Sequence, residues 1–220
     1  MLILEQRKPL EIKLGKKLDF WDNLDVSRET FHKLEVYKER LLLWNKKINL
    51  ISKRSTDDVW GRHFLDSAQV FGTLTAEQTK VLDFGSGGGF PGIVLAIIAT
   101  EKLPLIRVEM VESDQRKAVF LRDTVRTLGL NSSVWSDRVE DICEMDSDVI
   151  TARALAPLKK LLFFSNRHLK KGGFCVFLKG ESYKDEIKEA LECWSFSIKI
   201  KESVTNPLSA MLIISDLEKR

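Results

Sequence analysis

The chain has 220 residues, 44% of them hydrophobic and 30% charged, an ordinary balance for a water-soluble protein with room for one substantial domain and a small appendage. No apolar run approaches the roughly 18–20 residues of a membrane span. The net charge of +3 and pI of ≈ 8.7 permit an anionic partner, yet fall short of a dedicated nucleic-acid binder, whose pI typically exceeds about 9.

The opening stretch, MLILEQRKPLEIK, meets charge too soon for a secretory signal. Residues 1–26 are mixed, charged and weakly periodic. SRET at 27–30 starts a helix, with Ser27 suited to the N-cap and Glu29 to the first turn. Phe31, Leu34, Tyr37, Leu41, Trp44 and Ile48 then recur at three- and four-residue steps, one apolar stripe on a helix of about five turns. A second helix is expected over about 56–72. KVLDF (80–84) is a short buried strand. PGIVLAIIAT follows as a helix, with Pro91 near its first position, where the missing N–H does no harm. LIRVEMVE (105–112) is the next strand, and DQRKAVFLRDTVRTLG (114–129) a helix closed by Gly129. Further strands are expected at 132–136, 148–153 and 174–180. Helices are expected between them at about 138–145 and 157–169, with a KKGG turn at 170–173. SFSIKIKESV and AMLIIS, separated by NPLS, form an antiparallel pair. The cysteines Cys143, Cys175 and Cys193 lack metal-site spacing and read as reduced, mostly buried thiols of a cytosolic protein with no structural metal.

Strand–helix alternation argues for an α/β fold, a doubly wound and mainly parallel sheet with a C-terminal antiparallel hairpin at its edge. Residues 1–75 would be a helical extension packed on a core of residues 76–220. A ligand belongs at the carboxyl ends of such strands, at the topological switch point, where VLDFGSGGGFPG (81–92) delivers its glycines. A phosphate-binding P-loop needs GxxxxGK[ST]; here Gly87 and Gly92 are followed by Ile93. Gly87, Gly89 and Gly92 satisfy the dinucleotide pattern GxGxxG, a weak signal alone. Asp83, Gly85, Gly87 and Gly89 fill every position of the methyltransferase pattern D-x-G-x-G-x-G. S-adenosylmethionine has no phosphate. The glycines let backbone pass beneath its amino-acid and ribose parts, and Asp83 can accept from its ammonium directly or through water. Glu112, ending the second strand, suits the hydroxyls of an adenosine ribose, whether of NAD or of S-adenosylmethionine.

The same loop, DFGSGGGFPGIVLAI, resembles that of the bacterial 16S ribosomal RNA guanine-N7 methyltransferases, RsmG, also called glucose-inhibited division protein B. LLLWNKKINLIS (41–52), RHFLDS (62–67), ESDQRKAVFLRDTVRTLGL (112–130) and TARALAPLKKLL (151–162) resemble further family segments in the same order. Phe84 in the loop and Thr151–Ala152 before Arg153 depart from the family's usual residues. The resemblance implies a class I, Rossmann-like methyltransferase fold, S-adenosylmethionine as methyl donor, and a guanine in the 530 loop of the small-subunit RNA as acceptor. Its cofactor contacts fall on Gly85, Phe90, the Val139–Glu140 pair and Arg153, beside Asp83, Gly87 and Glu112.

Guanine N7 carries an exposed lone pair, so its alkylation calls for alignment rather than a general base. Arg153 is the candidate to fix the methionine end or the target base. Arg62, His63 and Lys179 are candidates for the RNA entrance, and the cations Arg116, Lys117, Arg122 and Arg126 suit RNA phosphates or solvent. The expected partner is 16S rRNA or the small ribosomal subunit, met in the cytoplasm by a monomer, with no membrane involved. Three other readings stay open: transfer to another RNA, a protein or a small molecule; a nicotinamide-dependent oxidoreductase; and an RNA-binding module without catalysis.

Overall fold

A computed structural model of the chain describes residues 25–220, so the reading of the first two dozen positions lies outside the described residues. Helix α1 spans Arg28–Asn45, and Ser27 caps it by accepting from the Thr30 amide at 3.2 Å. Its stripe is buried through Leu34, Tyr37 and Leu41. Asn45 ends the helix by turning its side-chain oxygen onto the amides of Leu50 and Ile51, at 2.9 and 3.0 Å.

The single helix expected over 56–72 is three pieces: a 3₁₀ turn at Lys53–Asp58, a wide π turn at Trp60–Leu65, and helix α2 at Asp66–Phe71. Short polar side chains explain the break, because they compete with the helix for backbone partners. Thr56 donates to the Lys53 carbonyl and Asp58 accepts from the Gly61 amide.

Strand β1 (Lys80–Phe84) leads through the glycines to α3 (Gly92–Lys102), then β2 (Arg107–Val111), α4 (Gln115–Leu128) and β3 (Ser132–Trp135). Pro91 caps α3 rather than opening it. Next come β4 (Ser147–Arg153), α5 (Leu158–His168), β5 (Leu169–Lys179), α6 (Tyr183–Leu191), β6 (Trp194–Glu202) and β7 (Ala210–Lys219). The sheet runs β3-β2-β1-β4-β5-β7-β6, parallel except for β7, which lies antiparallel between β5 and β6. Successive residues of each strand face opposite layers. Val81 and Val108 pack with α1, α3 and α4, while Leu82 and Phe84 pack with α5 and its neighbours. β1 and β4 are adjacent and their flanking connections diverge, so the crevice opens at their carboxyl ends.

Two further expectations need correction, and one helix was not expected. Residues 138–145 form an irregular turn, not a helix: Val139, Ile142 and Met145 are buried at three-residue intervals, imitating a helical stripe, but the backbone closes only a turn from Asp141 to Arg138. KKGG is no simple turn either, since Ser147 pairs Leu169 while Val149 pairs Phe174, and the extra residues bulge from β5. Helix α6 escaped the reading because Ala190 is its only buried residue. Of the cysteines, Cys175 is buried whereas Cys143 is exposed. No helix among the described residues is long and apolar enough to cross a membrane.

Candidate functional site

Beyond β1 the backbone turns through Gly85, Gly87 and Gly89, with φ of 63, 57 and 98°. Two of these positions show different reasons for glycine. At Gly89 a Cβ would lie 2.6 Å from Ile93 Cγ1 and 2.7 Å from the Tyr37 hydroxyl. At Gly87 the nearest atom to a Cβ is the Gly85 carbonyl oxygen, at 3.8 Å, so that face opens onto free space. Tyr37 is fully buried and donates its hydroxyl to the Gly88 carbonyl at 2.5 Å. Helix α1 therefore grips the loop from behind.

Two carboxylates brace the front and floor. Glu112 accepts from the Gly87 amide and, through its other oxygen, from the Asp114 amide, both at 2.8 Å. Asp83 has no solvent exposure. It accepts from the Thr151 hydroxyl at 2.8 Å and from the Gly92 amide at 3.2 Å. Burial pushes its pKa up to about 6 against those hydrogen bonds. Both oxygens thus face the turn into α3 and β4, and Asp83 shapes the loop from beneath.

The basic residues meet elsewhere. Arg62, His63, Arg153 and Lys179 all line a cleft of ≈ 610 Å³ whose far wall is the β6–β7 loop, Ser203–Pro207. Gly85, Gly87, Glu112, Val139 and Glu140 are not among its walls. Arg153, ending β4, donates to the Arg62 carbonyl at 3.2 Å, to Asp66 at 3.4 Å and to His63 Nδ1 at 2.8 Å. Its guanidinium also lies 4.8 Å from the centre of the Phe90 ring, on which His63 stacks. Phe90 itself is only 3% exposed and packs against Tyr37 and Phe64. It supports Arg153 and His63 from the core.

Arginine can only donate, so His63 accepts at Nδ1 and holds its proton on Nε2. That nitrogen is buried and has no hydrogen-bond partner among the described residues. Burial, then the charges of Arg153 and Arg62, lower the His63 pKa to about 3. Lys179 is no free cation: it is 9% exposed, pairs with Glu186 at 2.6 Å and donates to the Ala156 carbonyl. Glu186 also accepts from the Leu158 amide, so the pair fixes the start of α5. The carbonyls of Val139 and Glu140 are held by His168 and Arg167 at the end of α5. Arg116 and Arg126 pair with Asp114 and Asp123, and Arg122 donates to the Val134 carbonyl.

Asp83 and His63 predict opposed pH slopes. The Asp83 pKa rises on folding from 3.8 to about 6. The folded protein then binds the extra proton in that window, and stability falls as pH rises through it. The His63 pKa drops from 6.5 to about 3, so the unfolded chain binds the extra proton and stability rises with pH across that interval. Each slope is at most about 1.4 kcal/mol per pH unit, and the two largely cancel between pH 4 and 6. Urea titrations should show Asp83→Asn gaining stability relative to wild type as pH rises from 4 to 6, and His63→Gln losing it. Parallel curves for all three proteins would contradict both assignments.

Three residues of this arrangement were not singled out from sequence. Tyr37 counted only as a member of the apolar stripe, although a hydroxyl at the centre of a buried stripe signals a specific acceptor. Thr151 looked like a departure from a motif and proves to be the partner of Asp83. Asp66 stands in RHFLDS beside the two basic residues that drew attention. It accepts from Arg153 and from the hydroxyls of Ser203 and Thr205, joining the two walls of the cleft.

Comparison with known proteins places the chain in a family and its sheet in a shared fold. Residues 30–211 match the family model described as rRNA small subunit methyltransferase G. The chain is 44% identical over 198 residues to the ribosomal RNA small subunit methyltransferase G of Ruegeria pomeroyi, covering 90% of this chain and 97% of that one. It is 50% identical over 189 residues to the protein of the same name from Cereibacter sphaeroides, covering 86% and 91%. Among solved structures, M. jannaschii TYW2 in complex with AdoMet superposes with a TM-score of 0.53 at 15% identity, over 73% of this chain and 78% of that one. A SAM-dependent O-methyltransferase of Thermotoga maritima gives a TM-score of 0.53 at 15% identity, over 81% and 71%. At that identity these two show the shared fold, a class I methyltransferase sheet.

Proposed function

The chain belongs to the rRNA small subunit methyltransferase G family, and from that premise we propose that it transfers a methyl group from S-adenosylmethionine to N7 of a guanine in the 530 loop of 16S ribosomal RNA. The observation that carries the reading is the pairing of two adjacent features at the carboxyl end of the sheet. One is a glycine loop with open space above Gly87, beside the carboxylate of Glu112. The other is a cleft walled by Arg153, His63 and Arg62, separated from that loop by the end of β4.

The residues present fit the cofactor. Gly87 opens backbone to its amino-acid and ribose parts, Gly85 turns the chain beneath the Leu155 side chain next to it, and Glu112 matches a pair of ribose hydroxyls. Val139 and Glu140 lie beyond β3 for the adenine side. Asp83 acts through the loop it holds rather than as a ligand exposed in the crevice. The bound cofactor supplies an electrophilic methyl group on a sulfonium.

The rest of the work is alignment. N7 needs no deprotonation, so the chain needs no general base, and neutral His63 is consistent with that. Arg153, fixed by its hydrogen bonds and by the Phe90 face, orients the base or the methionine end. Arg62 contacts backbone phosphate at the mouth, and Lys179 with Glu186 keeps the cleft floor rigid. The helical segment over 28–71 serves as an integral wall, since Tyr37 reaches the glycine loop. A cytoplasmic monomer meeting 16S rRNA or the small subunit suits this arrangement.

The test incubates the protein with methyl-labelled S-adenosylmethionine and small ribosomal subunits from a strain lacking the equivalent activity, then digests the RNA. Label is expected in 7-methylguanosine, and an Asp83→Ala/Glu112→Ala double variant should give none. Label in protein, or in no RNA nucleoside, would reject the proposed acceptor.

A further inference from the structure

The chain's small positive charge is not spread evenly. Residues 46–62 contain Lys46, Lys47, Lys53, Arg54 and Arg62 against Asp57 and Asp58, a surplus equal to the +3 of the entire chain. The remaining sequence is therefore neutral. All five cations are exposed, and none forms an ion pair among the described residues. The α4 arginines differ, each being held by a carboxylate or carbonyl. An isolated unpaired lysine on a surface means little. Here the stretch is fixed in place at both ends, by Asn45 on the amides of Leu50 and Ile51 and by Asp58 on that of Gly61. It also runs directly into the cleft, whose wall includes Ser55, Gly61 and Arg62.

We infer that residues 46–62 are the track along which the phosphates of the substrate RNA enter the cleft, with Lys46, Lys47, Lys53 and Arg54 contacting backbone upstream of Arg62. The inference rests on the rRNA methyltransferase reading and extends it to where the RNA lies. Phosphate contacts position a nucleic acid without reading its bases. Four exposed cations thus supply affinity and register, leaving base selection to the cleft.

The experiment replaces all four by glutamine (K46Q, K47Q, K53Q, R54Q), keeps Arg62, and measures methyl transfer and binding of fluorescent 530-loop RNA at several salt concentrations. The RNA KM should rise at least about tenfold near 0.15 M salt, and the slope of log binding constant against log salt should shrink by about 2 to 3. Cofactor Kd and Tm should stay unchanged. A Lys170→Gln/Lys171→Gln protein, altered at the opposite end of the sheet, should shift KM less than about twofold. Unchanged KM and salt slope in the quadruple variant would overturn the track, as would an equal shift in the control. A loss seen with ribosomal particles but not with naked RNA would point to an acidic protein surface and overturn it too. Failure of the rRNA reading looks different: the wild-type protein itself then places no methyl in RNA, while the binding slopes still judge the track.

Discussion

Gly89→Ala is expected to abolish measurable S-adenosylmethionine binding and to lower Tm by about 5–10 °C. The backbone φ of 98° suits glycine, and forcing another residue there costs on the order of 1–3 kcal/mol. The added methyl would also lie 2.6 Å from Ile93 and 2.7 Å from the Tyr37 hydroxyl, and overpacking of that kind costs roughly 1–3 kcal/mol more. For a chain of this size each kcal/mol moves Tm by about 2–4 °C. The loop relieves the clash by shifting Gly88, whose carbonyl Tyr37 holds, and that shift carries the Gly87 amide away from Glu112. Tyr37→Phe supplies a graded comparison: it loses one buried hydrogen bond, about 1–2 kcal/mol, and removes one of the two close contacts at Gly89, leaving that with Ile93. The double variant should therefore be less damaged than the two single effects predict by addition. Calorimetric titration and thermal melts read both quantities. Normal cofactor affinity in Gly89→Ala would show that the loop does not carry the cofactor.

Arg153→Ala is expected to lower the rate of methyl transfer by about 100-fold while weakening cofactor affinity less than about tenfold. One guanidinium joins Arg62, His63, Asp66 and the Phe90 face. Removing it leaves Asp66 bound to Ser203 and Thr205 but detached from β4. The two walls of the cleft then lose their shared strut. Arg153→Lys should rescue little, because an ammonium cannot reproduce a planar fork that also stacks on a ring. Single-turnover transfer separates the chemical step from cofactor binding. Full turnover in the lysine variant would mean that charge alone suffices.

The elements that read correctly from sequence are those whose local signals and tertiary environment agree. Ser27 caps a helix whose stripe is buried, and KVLDF is buried on both faces within a parallel sheet. Misreadings arose where one local signal answered to another cause. The three-residue spacing of Val139, Ile142 and Met145 follows the contour of the layer beneath rather than a helix. Helix α6 shows the reverse: Tyr183, Ile187 and Ala190 do form a short stripe against the layer beneath, but only Ala190 is fully buried, and a helix of 9 residues offers few turns in which to read it. At the site, the glycine pattern and Glu112 announced themselves by type and spacing. Tyr37, Thr151 and Asp66 did not, because each earns its role from a partner between 51 and 139 positions away, and sequence spacing records no such distance. Lys179 looked like a surface cation for a different reason: its partner Glu186 is near in sequence, but lies on helix α6, which the reading does not include.

The placing of β7 between β5 and β6 has a consequence for synthesis. A ribosome delivers β6 before β7, yet among the described residues β6 pairs only with β7. As the nascent chain emerges, β5 therefore offers a bare edge, and β6 waits without a neighbour, until Ala210–Lys219 slides in between them. The same late strand brings Ala210, part of the cleft wall. A shortened translation product lacking it has the glycine loop but no finished acceptor cleft, together with an open strand edge of the kind that recruits other chains. The cleft wall is thus completed only when β7 arrives, and a chain that stops short of it presents an open strand edge instead.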